Sequence, residues 1–212
     1  MLQQSSSVLR YEERELGALY AVFGVGIGNF GRGRARSRRP MARWVQMLNE
    51  RLLDGDPAAQ IIGVFGHTGN FLVDSPARSL AEVSARFHRL LDTDWVVRRI
   101  EDVRAALVVL ADAPQPTQAE RVRWTPGFAF GDGAACGAVS STSRAVLWRV
   151  SSYAIGAWKR DNLSAADRLD PGRRAGGWGA VSNDIHRQIG GQWTARSRRT
   201  LDGLIKLVSG RR

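Results

Sequence analysis

Five arginines, Arg32, Arg34, Arg36, Arg38 and Arg39, alternate with small residues in a stretch that also carries Gly26, Gly28, Gly31 and Gly33. Glycines let a backbone approach a phosphate closely, and guanidinium groups so spaced suit a phosphodiester backbone. The other reading of this stretch is a solvated basic loop. A second basic segment, Thr194 to Leu201, lies near the other end, just ahead of a helical pattern. The first N–H groups of a helix lack intrahelical acceptors, so hydroxyls and guanidinium groups placed there suit a phosphate or carboxylate. Thr194, Arg196, Arg198 and Arg199 are therefore candidate anion contacts, with helix capping by Ser197 or Thr200 as the alternative. Gly26, Gly28, Asn29 and Gly31, with Thr68 and Asn70 of a later turn, make a candidate ligand loop.

Groups suited to catalysis are few. The spacing Gly26-x-Gly28-x-x-Gly31 is a poor dinucleotide fingerprint, because the next helix begins about ten residues later. A P-loop would need Gly-Lys-Ser/Thr, which the stretch lacks. No two of His67, His88 and His186 stand at metal-ligand spacing, and Cys136 is the single cysteine, so neither a metal nor a cofactor is expected. Asp184 and His186 lie two apart on a helical pattern and do not share a face. Cys136, among Gly133, Ala134, Ala135 and Gly137, reads as a small core residue rather than a nucleophile. Trp178 and Trp193 sit beside glycines and arginines, a setting that suits base stacking as well as core packing.

The bulk properties agree with a binder of anions. The net charge is +11 over 212 residues, and Lys159 and Lys206 are the only lysines. Such a balance favours nucleic acid, ribonucleoprotein or anionic metabolites as partners. A hydrophobic fraction of 43% with 24% charged residues is ordinary for a globular protein. No apolar run approaches the roughly 18 residues of a membrane span, the first residues lack a signal-peptide layout, and one cysteine allows no internal disulfide. The expectation is a cytoplasmic protein with no membrane partner.

Periodicity gives the strands and helices that carry these residues. Residues 1–18 read as a flexible N-terminal segment. Leu19 to Val25 reads as a strand, and Pro40 opens a helix whose apolar face is Met41, Trp44, Val45, Leu48 and Leu52. Ile61 to Phe65 and Phe71 to Val73 form a hairpin about His67-Thr68-Gly69-Asn70. A helix with Leu80, Val83, Phe87, Leu90 and Leu91 inward precedes a strand from Asp94 to Arg98. Residues 19–100 thus read as a ferredoxin-like βαββαβ half. Residues 101–212 read as a second, more irregular α+β half. Its helices are expected at Glu101–Leu107, Asn162–Leu169, Val181–Ile189 and Arg199–Val208, its strands at Trp124–Phe130 and Val146–Val150. Leu107 to Leu110 fits either a continued helix or a strand. The fold class is α+β, and a degenerate copy of the first half is not legible as a repeat.

These features resemble the bacterial domain-of-unknown-function family numbered 1697. Its members begin with a strand, an Arg-Gly-Ile-Asn-Val-Gly-Gly-like loop and a helix near Pro-Met. Gly26-Ile27, Asn29-Phe30-Gly31 and Pro40-Met41 match, with Gly28 inserted. The family's Ser-Gly-Asn turn appears as Thr68-Gly69-Asn70, and Asp74-Ser75-Pro76 is similar. Of its Thr-x-Arg-Asn-Trp-x-Thr segment, Thr194, Arg196 and Thr200 match, while Ser197-Arg198 replace Asn-Trp. The resemblance, collinear from about 19 to 208, implies a divergent member with two packed ferredoxin-like halves and no established activity. The leading expectation is a non-catalytic binder of nucleic acid or ribonucleoprotein through the two basic segments. The alternatives are an enzyme or binder for a phosphorylated or carboxylated metabolite between the halves, and a protein-interaction module. The sequence assigns no oligomeric state.

Overall fold

The computed structural model describes residues 18–24, 50, 60–65, 69–76, 80–90, 95–110, 116, 123–161 and 177–210. Strands β1 (Ala18–Gly24), β2 (Gln60–Val64), β3 (Asn70–Ser75) and β4 (Trp95–Arg99) form an antiparallel sheet in the order β2-β3-β1-β4. Helix α1 (Leu80–Leu90) joins β3 to β4, and α2 (Ile100–Val109) follows β4 directly. Strands β5 (Trp124–Gly131), β6 (Ala145–Ser151), β7 (Ala154–Arg160) and β8 (Trp193–Ser197) form a second antiparallel sheet, ordered β6-β7-β5-β8. Helix α3 (Trp178–Ile189) joins β7 to β8, and α4 (Arg198–Ser209) follows β8 directly. The chain is thus α+β, with two antiparallel sheets.

The second sheet is no less regular than the first, against the expectation from sequence. Its strands β5, β7 and β8 repeat the register of β1, β3 and β4, while the outer pairs carry their bulges at different places, Ile61/Gly63 and Arg149/Ser151. Gly24 pairs with Trp95 as Gly131 pairs with Trp193, and Phe23 pairs with Asn70 as Phe130 pairs with Ala154. Arg98 stands opposite Ala21 as Arg196 stands opposite Phe128. The repeat was hidden because β7 and β8 carry glycine, alanine and charge where an isolated strand would show branched residues. Leu107 to Val109 continues α2, and Leu110 caps it.

Alternation along each strand divides the core into three parts. Tyr20, Val22, Trp95 and Val97 face outward from the first sheet and pack with Val83 and Phe87 of α1. Ala129, Ile155, Trp193 and Ala195 face outward from the second sheet and pack with Val181 and Ile185 of α3. The alternate residues Ala21, Phe23, Val96, Phe128 and Phe130 face between the sheets, together with Ile100 and Val103 of α2 and Leu201 and Leu204 of α4. The rings of Phe23 and Phe130 stack there, 5.5 Å apart and 7° from parallel.

The two direct strand-to-helix junctions interlock the halves. Helix α2 leaves the first sheet and touches β6 of the second, while α4 leaves the second and touches β2 and β3 of the first. Gly203 of α4 allows this approach, since a Cβ there would run into the Phe65 ring. Gly190 at φ 69° ends α3, a conformation that costs glycine little.

Phe130→Ala would open a void between the sheets and is expected to cost about 3–5 kcal/mol. Urea unfolding of the variant and the parent at one pH checks this.

Candidate functional site

Period-two alternation places Thr194 and Arg196 on the inward face of β8 beside Trp193 and Ala195, which face out. Both lie in a strand, not in the turn before the helix that the sequence implied. Arg196 reaches from the second sheet into the first. Its Nη2 donates to the Gly24 carbonyl at 2.7 Å and its Nε to Asn70 Oδ1 at 2.6 Å. Its Nη1 donates to Thr194 Oγ1 and, at 3.0 Å, to the Ala195 carbonyl. Thr194 Oγ1 donates to the same Gly24 carbonyl at 3.2 Å. Asn70 is fully buried at the start of β3 rather than in the turn, and its Nδ2 donates to the Phe65 carbonyl at 2.9 Å. Burial pushes the Arg196 guanidinium down to about 10.

Three of the expected site residues, Asn70, Thr194 and Arg196, therefore meet in one cluster. Its donors are directed at protein acceptors. The cluster grips Gly24, where the glycine- and arginine-rich stretch begins. Gly26, Gly28, Asn29, Gly31, Thr68 and the arginines at 32, 34, 36, 38 and 39 lie outside the described residues, as do the helices expected from Pro40 and from Asn162.

Ser197 caps α4, its Oγ accepting from the Thr200 N–H at 3.3 Å. This is the capping alternative stated for that segment. Arg198 and Arg199 begin the helix on its exposed side. With Lys206, Asp202, Phe65, Thr125 and Pro126 they line an open cleft of about 530 Å³. Arg198 is paired with Asp202 at 3.4 Å, both about half exposed, so the pair is weak in water.

Thr125 on the wall of this cleft is held by Asp161, which accepts from Thr125 Oγ1 and from Lys159 Nζ, each at 2.6 Å. Burial alone would raise the Asp161 carboxyl. The hydrogen bonds from Lys159 and Thr125, with the charges of Lys159 and Arg123, outweigh it and hold the group below its ordinary value.

Trp193 is 4% exposed and donates Nε1 to the Gly190 carbonyl at 2.8 Å, so it presents no free stacking face, while Trp178 is half-buried against the α3 core. Cys136 is exposed, not buried, because residues 132–140 form an irregular loop at the surface. Asp184 is held by Arg144 at 3.0 Å, by Thr142 Oγ1 at 3.1 Å and by Arg187, while His186 Nδ1 faces the Gly191 carbonyl at 2.5 Å. Among the described residues, no three His, Cys, Asp or Glu side chains are grouped for a metal ion, and no helix is long and apolar enough to cross a membrane.

Sequence reasoning missed Arg98. It is the register equivalent of Arg196, only 3% exposed, and its Nη2 donates to the carbonyl of Gly131, the equivalent of Gly24. A signal was present: Phe-Gly closes both β1 and β5, and Trp-x-x-Arg opens both β4 and β8. No family model matches this chain, and neither the curated proteins nor the solved structures compared with it give a match.

Asn70→Ala would leave the Arg196 Nε without its acceptor and is expected to cost about 1–3 kcal/mol in urea unfolding. Asp161 has a folded value below its unfolded one. Its stabilisation is complete above the unfolded value and is lost as the pH falls through the folded one. Asp161→Asn is therefore expected to destabilise at neutral pH and to approach the parent only as the pH falls below about 4 and through the folded value, read from unfolding curves at each pH.

Proposed function

We propose that the chain is a non-catalytic binder of polyanions, nucleic acid or ribonucleoprotein, acting through Arg198, Arg199 and Lys206 together with the Arg32–Arg39 stretch. The supporting observation is the open cleft at α4, where, among the described residues, those three cations face one carboxylate, that of Asp202. Two residues before the cleft's first arginine, Arg196 holds the carbonyl of Gly24, the last described residue ahead of the arginine-rich stretch. A shallow cationic cleft suits a phosphate backbone, which binds through charge and releases counterions. The net charge of +11 supplies the long-range attraction such an encounter uses.

The same proposal reads each half as ferredoxin-like, with the helix expected from Pro40 between β1 and β2. It reads the chain as a divergent member of the domain-of-unknown-function family numbered 1697, on the collinear motifs given above. A cytoplasmic setting, where nucleic acid is at hand, belongs to this reading.

Arg198→Ala/Arg199→Ala/Lys206→Ala is expected to weaken binding to random RNA and duplex DNA across sequences. It should also reduce the slope of log affinity against log salt by about one per lost phosphate contact. Fluorescence anisotropy at several salt concentrations reads both quantities. A parent protein that binds neither polymer at low salt would overturn the proposal.

A further inference from the structure

A cavity of about 480 Å³ opens between the halves on the Arg98 side. Its walls include Arg98 of β4, Asp102 and Val109 of α2, and Phe130, Asp132 and Tyr153 from the second sheet and its loops. Its volume falls in the range of small-molecule sites.

The internal repeat shows what this cavity lacks. Arg98 and Arg196 occupy equivalent places in the two sheets, and each donates Nη2 to the carbonyl of the glycine that ends the other half's central strand. At Arg196 the remaining demand is met, because Nε donates to Asn70 Oδ1 at 2.6 Å. The equivalent of Asn70 in the second sheet is Ala154, which pairs with Phe130 as Asn70 pairs with Phe23. Alanine offers no acceptor. Among the described residues the Arg98 Nε accordingly has no hydrogen-bond partner, in a side chain 3% exposed, and Ala154 lines the cavity beside it. A buried donor left unsatisfied is costly, and a buried cation more so. Thr194, the second donor to Gly24, is likewise replaced by Val96, so the Arg98 side has lost hydrogen-bonding groups in two places.

We propose that this cavity binds a small primary carboxamide, whose oxygen takes the place at Arg98 Nε that the Asn70 amide takes at Arg196. The template is the molecule's own. The Asn70 amide accepts from an arginine and donates its NH₂ to a carbonyl oxygen, that of Phe65. In the cavity, the carboxylates of Asp102 and Asp132 and the hydroxyls of Ser151 and Ser152 are the acceptors for that NH₂. The two carboxylates offset the attraction of the Arg98 guanidinium for an anion, and an amide NH₂ can donate to them where a carboxylate cannot, so a neutral amide is preferred over the matching carboxylate. Ala105, Val109 and Val150 receive an apolar body attached to the amide. The Tyr153 ring, 41% exposed and 4.3 Å from the Arg98 guanidinium carbon, lies over the arginine and must tilt as the oxygen reaches Nε.

The test is ligand-observed NMR titration with benzamide and, separately, benzoate. The proteins are the parent, Ala154→Asn and Val109→Trp. Ala154→Asn supplies the missing amide from the chain itself, whereas Val109→Trp fills the cavity from an exposed helix position and leaves the Arg98 contacts in place. The expected result is benzamide binding to the parent, weaker binding of benzoate, and at least about a tenfold loss of benzamide affinity in each variant. Ala154→Asn is also expected to raise Tm, as an orphaned donor gains its acceptor. No benzamide binding to the parent, affinity unchanged in Val109→Trp, or benzoate binding more tightly than benzamide would each overturn the proposal.

Discussion

Two arginines that cross between sheets hold this protein together. Arg98 leaves the first sheet to grip the end of β5, and Arg196 leaves the second to grip the end of β1. Between them the Phe23 and Phe130 rings stack. Each arginine is bound to its place by strand alternation, since the residue one position before it faces the outer helix or the outer surface of its own sheet. The interface is therefore defined by register. A slip of one residue in either β4 or β8 would turn a guanidinium outward and bring a core residue into its place.

Burying a guanidinium is unfavourable, and burial lowers both arginines from their ordinary values. The structure offsets this with fixed dipoles: backbone carbonyls at strand ends, the Asn70 amide, and the faces of Tyr153 and Phe23. Arginine suits this task better than lysine, because its planar fork donates in several directions at once and lies flat on a ring. That preference gives some of the chain's arginines an architectural role. The excess charge on which a polyanion would act is consequently carried by other residues, among them Arg198, Arg199 and Lys206 at the α4 cleft.

The repeat is closest in its backbone register and weakest in its side chains. Asn70 has become Ala154, Thr194 stands against Val96, and Leu72 stands against Gly156, over which the Trp148 indole lies. On the Arg196 side these differences fill the space between the halves with a polar cluster and the Phe65 ring. On the Arg98 side they leave an open cavity and an unsatisfied donor. Two similar halves thus give two unlike surfaces, one with exposed cations and one with a recess.

The sequence made most element positions legible, because alternation and helical spacing are local: Leu19 to Val25, the hairpin strands, Asp94 to Arg98, Trp124 to Phe130 and the helices at 181–189 and 199–208. It also carried the basic segments and the capping serine at 197, since composition and cap chemistry need no partner. It did not reveal β7 or β8, whose glycine, alanine and charged residues acquire strand character only from neighbours in the sheet. Nor did it separate Arg196, turned inward, from Arg198 and Arg199, turned outward, although all three looked alike as cations before a helix. Packing between the sheets separates them. Which side of a strand faces the core depends on what packs against it, and here that is the other half of the chain.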